Sequence, residues 1–394
     1  MPLVDLDSLR GLSEERREAP VYLDNAASTR MHPRVLAAML PWLTEQWANP
    51  SSVHRMGKIA RRAVDEARER VAASVGVSPD EVVFTSGGTE ANNLAVRGVP
   101  LQRGDRVITT SVEHPCVLES CKRLQRRGID VVFVPVAGDG TLDPEAVAKA
   151  VNSKTALVSL MHVQNETGAV FPVDEVARRV KAIRPEALVH SDGVQAFGKL
   201  ATPRPIDMYS ISSHKVCGPK GVGALIVRRG TKLAPLLVGG GQERGLRSGT
   251  EPVPLIVGFG VAAELAARSL APVGTPGMGC DRARIAYLSD MLRRGVSALG
   301  GIVNSPETAV PDIVNASFPG LSSREIVGFL DERGIMVSPG SACSCNKAGG
   351  SRVLTAMGLP PERSACCVRM SLGRETTTDD VRATLRALGE MPRR

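Results

Sequence analysis

The chain has 394 residues, 43% hydrophobic and 23% charged, enough to bury a large core and divide into two or three domains, which excludes a small stapled scaffold and a disordered chain. Its formal charge of +8 comes from 49 basic residues, 39 Arg and 10 Lys, scattered in short pairs, and only 3% of residues are aromatic. Nucleic-acid binding needs clustered charge interleaved with stacking platforms, so no direct contact of that kind is expected. The longest apolar candidate, Val253 to Ala267, is interrupted by Glu264 and several glycines, and no membrane span is expected. The first twenty residues mix acids and bases without an apolar stretch, so neither a secretory signal nor a transit peptide is read there, and the expected location is the cytoplasm. Eight cysteines in such a chain are read as thiols rather than disulfides.

In chain order, GKIARRAVDEARERVAASVG (57–76) predicts an amphipathic helix with Ile59, Ala63, Val64, Ala67 and Val71 on one stripe. Short β-branched runs follow at 81–84, 106–111, 131–136, 155–163, 187–192, 207–212 and 223–229, alternating with helical stretches. That alternation predicts an α/β domain with a largely parallel sheet. The Pro/Gly-rich piece APVGTPGMG (271–279) is the clearest break in composition. Beyond it, helices are expected at 284–299, 323–334 and 379–391 and strands at 313–318 and 367–373, a smaller α+β domain. The expected division is a large domain over 15–260 and a small one from 1–14 and 261–394.

Ligands of open α/β sheets gather beyond the carboxyl ends of the strands, so the polar residues there carry the chemistry. After the first run, Ser86-Gly87-Gly88-Thr89 opens a helix, whose N-terminus and free amides favour an anion such as phosphate; alone, this is equally a capped turn. Asp192 ends the run ALVHSD, with Gln195 behind it. A carboxylate there can keep a pyridine nitrogen protonated and an amide can bond a ring oxygen, although Asp192 by itself also reads as a helix cap. After DMYSIS come Ser212-Ser213-His214-Lys215, where a lysine flanked by Ser and His suits a Schiff base with a carbonyl cofactor. Together with the glycine loop, this order makes a chance surface lysine a poor account.

These segments, together with YLDNAAST (22–29), SVEH (111–114), HVQNETG (162–168), GGGQERGLRSGT (239–250), GSAC (340–343) and VRMSLGR (368–374), resemble fold-type I pyridoxal-phosphate enzymes of the class V aminotransferase family, and within it cysteine desulfurases of the NifS/IscS type. The resemblance implies a homodimer that binds pyridoxal 5'-phosphate through Lys215, with Asp192 on the pyridine nitrogen and Gln195 on the ring hydroxyl. His114 would stack on the ring and shuttle protons; Gly88, Thr89, Ser212 and His214 would cradle the phosphate, with Thr250 reaching it from the other subunit. Arg369 would hold the carboxylate of the L-cysteine substrate and Asn165 would add a hydrogen bond. Cys343, on a loop whose residues contain little to order it, would take the sulfur as a persulfide and pass it to an acceptor protein. Transaminases share the cofactor residues without needing that thiol, and a selenocysteine lyase or cysteine sulfinate desulfinase depends on it less.

Three departures stand beside the resemblance. Cys345 and Lys347 follow Cys343 where small hydroxyl residues are usual. Cys345 is open to reading as a resolving thiol, a sulfur relay, a metal ligand or an incidental thiol; two ligands alone make a poor metal site, and no metal is expected. Cys366 and Cys367 are read as small apolar residues. Gly193-Val194 replaces the usual Ala-Thr pair after Asp192 and leaves the local packing open.

Overall fold

A computed structural model describes residues 20–270, 280–340 and 350–392. Among the described residues twelve strands are formed: β1 (Val21–Tyr22), β2 (Val82–Thr85), β3 (Arg106–Thr110), β4 (Asp130–Val134), β5 (Thr155–Met161), β6 (Leu188–Asp192), β7 (Met208–Ser212), β8 (Gly223–Val227), β9 (Ile302–Val303), β10 (Ile313–Ser317), β11 (Ile335–Met336) and β12 (Cys367–Ser371). The helices are α1 (Pro33–Thr44), α2 (Arg55–Val75), α3 (Gly88–Arg97), α4 (Pro115–Arg126), α5 (Pro144–Ala150), α6 (Val173–Ile183), α7 (Val253–Ser269), α8 (Cys280–Ala298), α9 (Ser323–Asp331), α10 (Arg352–Ala356), α11 (Pro361–Ala365) and α12 (Thr378–Gly389).

The seven runs read as strands build one sheet in the order β2-β8-β7-β6-β5-β3-β4. The β3, β4, β5, β6 and β7 ladders are parallel and β8 is antiparallel to both its neighbours, so β8 alone runs against the other six. Except for the edge strand β4, which is largely half-buried, these strands are buried on both faces, as strands between helical layers are. Alternation along each strand sends Val83, Val107, Leu157 and Met208 to the layer of α3 and α4. The residues beside them face the other way, Phe84 and Tyr209 toward α2 and α7, Ile108 and Val158 toward α5 and α6. The second core packs the β12-β10-β9 sheet against α8, α9 and α12.

Several expectations change. Ile59 is 39% exposed, while Ala60 takes the buried place beside Ala63, Val64, Ala67 and Val71. The strand Val21–Tyr22, placed with the large domain, pairs instead with Ile335–Met336, and Leu23 is buried in the second core. The division expected at 260/261 falls inside α7, a continuous helix packed along α2 and α1. Conversely, Val353, Leu354 and Met357, expected in the small domain, pack into the core formed by β3, β5 and α6.

The glycine-rich segment after β8 is anchored from beneath by two arginines one heptad apart on α2. Arg68 is buried and grips both carboxylate oxygens of buried Glu243 at 2.6 and 2.7 Å, while Glu243 also accepts from Phe84 N. Arg61 grips Glu251 in the same bidentate way from a more exposed position. Glu243 and its neighbour Arg244 have φ of 49° and 57°, a conformation that side chains avoid, so the carboxylate has to hold the turn. Glu243→Ala strands a buried guanidinium and is expected to lower stability by about 3–5 kcal/mol, whereas Glu251→Ala leaves Arg61, whose side chain is 36% exposed, able to reach water and costs about 1 kcal/mol or less. Guanidinium chloride titrations of both variants check this; similar losses would show that the inner pair is not special.

Candidate active site

Six strands point their carboxyl ends to one edge of the main sheet, and the turns that leave them enclose a cavity of about 430 Å³. Gly88, Thr89, His114, Asn165, Asp192, Gln195, Ser212, His214, Lys215 and Arg369, read from the sequence as site residues, all line it. Thr250 does not; it lies exposed on the glycine-rich segment. Cys343, Cys345 and Lys347 lie outside the described residues.

At one end, β2 turns into α3 through Gly87, the N-cap, which has no side chain to satisfy the first amides of the helix. A Cβ at Gly88 would stand 2.5 Å from Val194 Cγ2, so a side chain there would have to displace Val194. Ser212 Oγ is buried here without a hydrogen-bond partner among the described residues. His214 Nδ1 contacts Ser28 Oγ at 3.3 Å, and burial, with Lys215 and Lys220 adding to it, pulls His214 down to about 4, so it is neutral. The one carboxylate at this corner, Glu90, accepts from Ser86 N and pairs with Arg247, which neutralises it.

In the middle, Asp192 ends β6 and accepts from Asn92 Nδ2 at 2.6 Å and from Val194 N at 3.0 Å. Burial raises its carboxyl, opposed by His114, these two donors and Lys215. Gly193 answers the packing question: a Cβ there would fall 2.0 Å from the ring of Tyr209, whose hydroxyl meets His162 Nδ1. Lys215 Nζ donates to the carbonyls of Ala26 and Ala27 at 2.6 and 2.8 Å, and Gln195 Nε2 donates to the same Ala26 oxygen at 2.8 Å. Burial lowers His114, with Asp192 opposing and Lys215 and Arg352 adding to the fall. At the far end Arg369, 2% exposed, donates Nη1 to Asn165 O and Nη2 to Asp24 Oδ1. Arg369 Nε and Asn165 Oδ1 are buried without partners among the described residues.

Four residues of this region escaped the sequence reading: Asp24, Asn92, Glu113 and Cys116. Asn92 lies four residues past Gly88 and so on the same helix face, a signal that was available. Cys116 lines the cavity beside His114. Glu113 is fully buried, accepts from Thr110 Oγ1 and Met161 N on one oxygen, and is pushed up to about 8 by that burial. Cys366 and Cys367 are buried, as small apolar residues would be. Among the described residues no group of three or more His, Cys, Asp or Glu is arranged to hold a metal ion, and no helix is long and apolar enough to cross a membrane.

A lysine, a buried carboxylate and an uncapped helix N-terminus in one cavity define a site for a phosphate-bearing carbonyl cofactor. Residues 21–384 match the aminotransferase class-V family. A cysteine desulfurase of Bradyrhizobium diazoefficiens is 44% identical over 388 residues, covering 96% of each chain. Among solved structures, a NifS-like protein is 38% identical with a TM-score of 0.87, covering 94% of this chain and 98% of its own. Another, SspA in complex with cysteine, is 37% identical with a TM-score of 0.78, covering 89% and 98%. The chain belongs to the aminotransferase class-V family of pyridoxal-phosphate enzymes, on its cysteine desulfurase branch.

The buried ionisable groups give a pH test. Burial pulls His162 to about 4 and His190 to about 3, so the unfolded chain binds more protons than the native one up to its ordinary histidine value of 6.5, and stability rises to that point. Glu113 acts oppositely: the native carboxyl keeps a proton from 4.5 to about 8 that the unfolded one loses, so stability falls across that range. Above 6.5 the histidines are neutral in both states. Unfolding midpoints are therefore expected to drop between pH 6.5 and 8, and Glu113→Gln is expected to remove the drop; a Gln variant as pH-sensitive as the parent would contradict this assignment.

Proposed function

We propose that this cavity converts L-cysteine to L-alanine and delivers the sulfur to Cys343 as a persulfide. The substrate's C–S bond breaks, an S–S bond forms to Cys343, and the substrate Cβ gains a proton, so no outside oxidant or reductant is consumed. The observation that carries the reading is the convergence of ten site residues, scattered from Gly88 to Arg369, on one cavity. The relative solved in complex with cysteine supports the substrate.

The cavity fits the family's cofactor. Buried Ser212 Oγ awaits an acceptor, as do the free amides that open α3; with Gly88, Thr89 and His214 they would hold the phosphate. Asp192 would hold the pyridine nitrogen, Gln195 the ring hydroxyl, and Lys215 the carbonyl carbon. Bound pyridoxal phosphate supplies an electron sink for the charge left when substrate Cα loses its proton. Lys215 would take that proton at Nζ. Buried Asp192 would favour positive charge on the ring nitrogen beside it. Arg369 grips the substrate carboxylate with its planar fork, and the Asn165 side-chain amide adds a bond there. His114, whose ring burial holds neutral, would pass a proton away from Cα by giving one from one ring nitrogen as the other takes one up, and the Cys343 thiolate would take the sulfur.

Two partners complete the reading. Leu36, Leu40 and Leu43 repeat along the outer face of α1, and with Trp47 they are 40–73% exposed. This apolar face and the exposed Thr250 support a homodimer in which each copy lends Thr250 to the other's phosphate site. The formal charge of +8 fits an acidic sulfur-acceptor protein, and the cytoplasm is the compartment proposed.

Alanine and sulfide release from L-cysteine with a reductant tests the activity. Cys343→Ala is expected to abolish turnover while L-cysteine still changes the absorbance of the bound cofactor; Cys345→Ala then shows whether the second thiol takes part. Turnover surviving without Cys343, or restricted to another amino acid, would sink the persulfide route in favour of a lyase or transaminase. Arg369→Lys keeps the charge but loses the fork, and kcat/KM is expected to fall by roughly ten- to a hundredfold.

A further inference from the structure

His114 is the N-cap of α4, and its Nδ1 accepts the backbone N–H of Cys116 at 3.3 Å. A ring nitrogen that receives an N–H carries no hydrogen of its own. The thiol of Cys116 lies 3.0 Å from the same Nδ1, so against a bare nitrogen the S–H is the donor. The sulfur in turn accepts from Asn92 Nδ2 at 3.2 Å, and the second hydrogen of that amide goes to Asp192 Oδ2 at 2.6 Å. Turning the amide over would set its oxygen against the carboxylate, which fixes its orientation. Every hydrogen from Asp192 to the imidazole is thereby assigned, and Nε2 is left as the ring nitrogen that carries one.

We propose that Cys116, oriented by Asn92, is a positioning residue that holds His114 as its Nε2–H tautomer, so that the ring offers the cavity a proton donor. The inference rests on the role given to His114 in the proposed reaction and supplies what that role lacked, a reason for the proton to sit on one nitrogen. Burial pushes the Cys116 thiol up to about 12, so it keeps the hydrogen it has to give. The charged groups that act on His114 are Asp192 from β6, Lys215 from the turn after β7 and Arg352 from α10. Cys116 is the neutral contact that reaches the ring nitrogen itself. Losing its S–H weakens only the neutral ring, because a ring protonated at Nδ1 has no use for that donor, and the proton affinity of His114 rises.

The test is the 15N magic-angle-spinning spectrum of the holoenzyme labelled at histidine, with the His114 peaks identified by their loss in His114→Gln. The parent is expected to show a bare Nδ1 and a protonated Nε2. Cys116→Ala is expected to move the protonation midpoint of His114 up by about one pH unit, a tenfold change in proton affinity. Cys116→Ser, which keeps a donor, is expected to bring it back, and the acid limb of kcat/KM for L-cysteine should follow both shifts. A protonated Nδ1 in the parent, or a midpoint unmoved by Cys116→Ala, would overturn the proposal. The spectra do not depend on turnover: if L-cysteine yields no alanine, the proposed reaction fails while the tautomer is still read.

Discussion

A guanidinium cannot shed its charge, so one at 2% exposure must be neutralised by whatever surrounds it, and the way Arg369 is neutralised sets the geometry of the whole site. Arg369 sits in the middle of β12, in the second sheet; Asn165 follows β5 of the main sheet; Asp24 follows β1 near the start of the chain. One side chain thus fixes three segments that are far apart in sequence. The segment it pulls in is laced to β12 by further bonds, Ala26 N to Ser371 Oγ and Asn25 Nδ2 to Ser371 O. The carbonyls of Ala26 and Ala27 then receive Lys215 and Gln195. The position of the reactive amine is therefore set from the second sheet as much as from the strand that carries it.

Burial is the largest cause of the shifts at His114, which is lowered, and at Asp192, Cys116 and the neighbouring Glu113, which are raised. In such a medium each remaining charge acts strongly and each hydrogen bond has a fixed sense. Neutral groups do the orienting, with Asn92 and Cys116 set between the carboxylate and the imidazole.

Much of this was legible in the residues. The seven sheet strands announced themselves because buried parallel strands are nearly continuous apolar runs, and the polar residues at their ends were found by position. What was missed depends on partners distant in sequence. Ile59 and Ala60 both fit a helical stripe, and only the approach of α7, where Gly260 meets Ala67, decides which is covered. Val21–Tyr22 is too short to declare a sheet, and its neighbour lies more than three hundred residues on. Arg68 reads as one surface arginine among 39 until Glu243 folds over it. Asn92 and Cys116 look like ordinary helix residues, since neither residue type marks chemistry without Asp192 and His114 beside it.

The reversed strand also governs the order in which a growing chain can assemble. As the protein leaves the ribosome, β4, β5, β6, β7 and β8 each find a neighbour already made, but β2 pairs only with β8 and must wait for it. Closing so long a loop adds little to the equilibrium cost, because that cost rises only logarithmically, so the delay is one of time. The corner begun by Gly88 follows β2 directly and waits with it, and Arg369 is made later still. A nascent chain therefore has no finished pocket to offer a cofactor until nearly all of it has been translated, and capture of the cofactor becomes a late event in the life of each molecule.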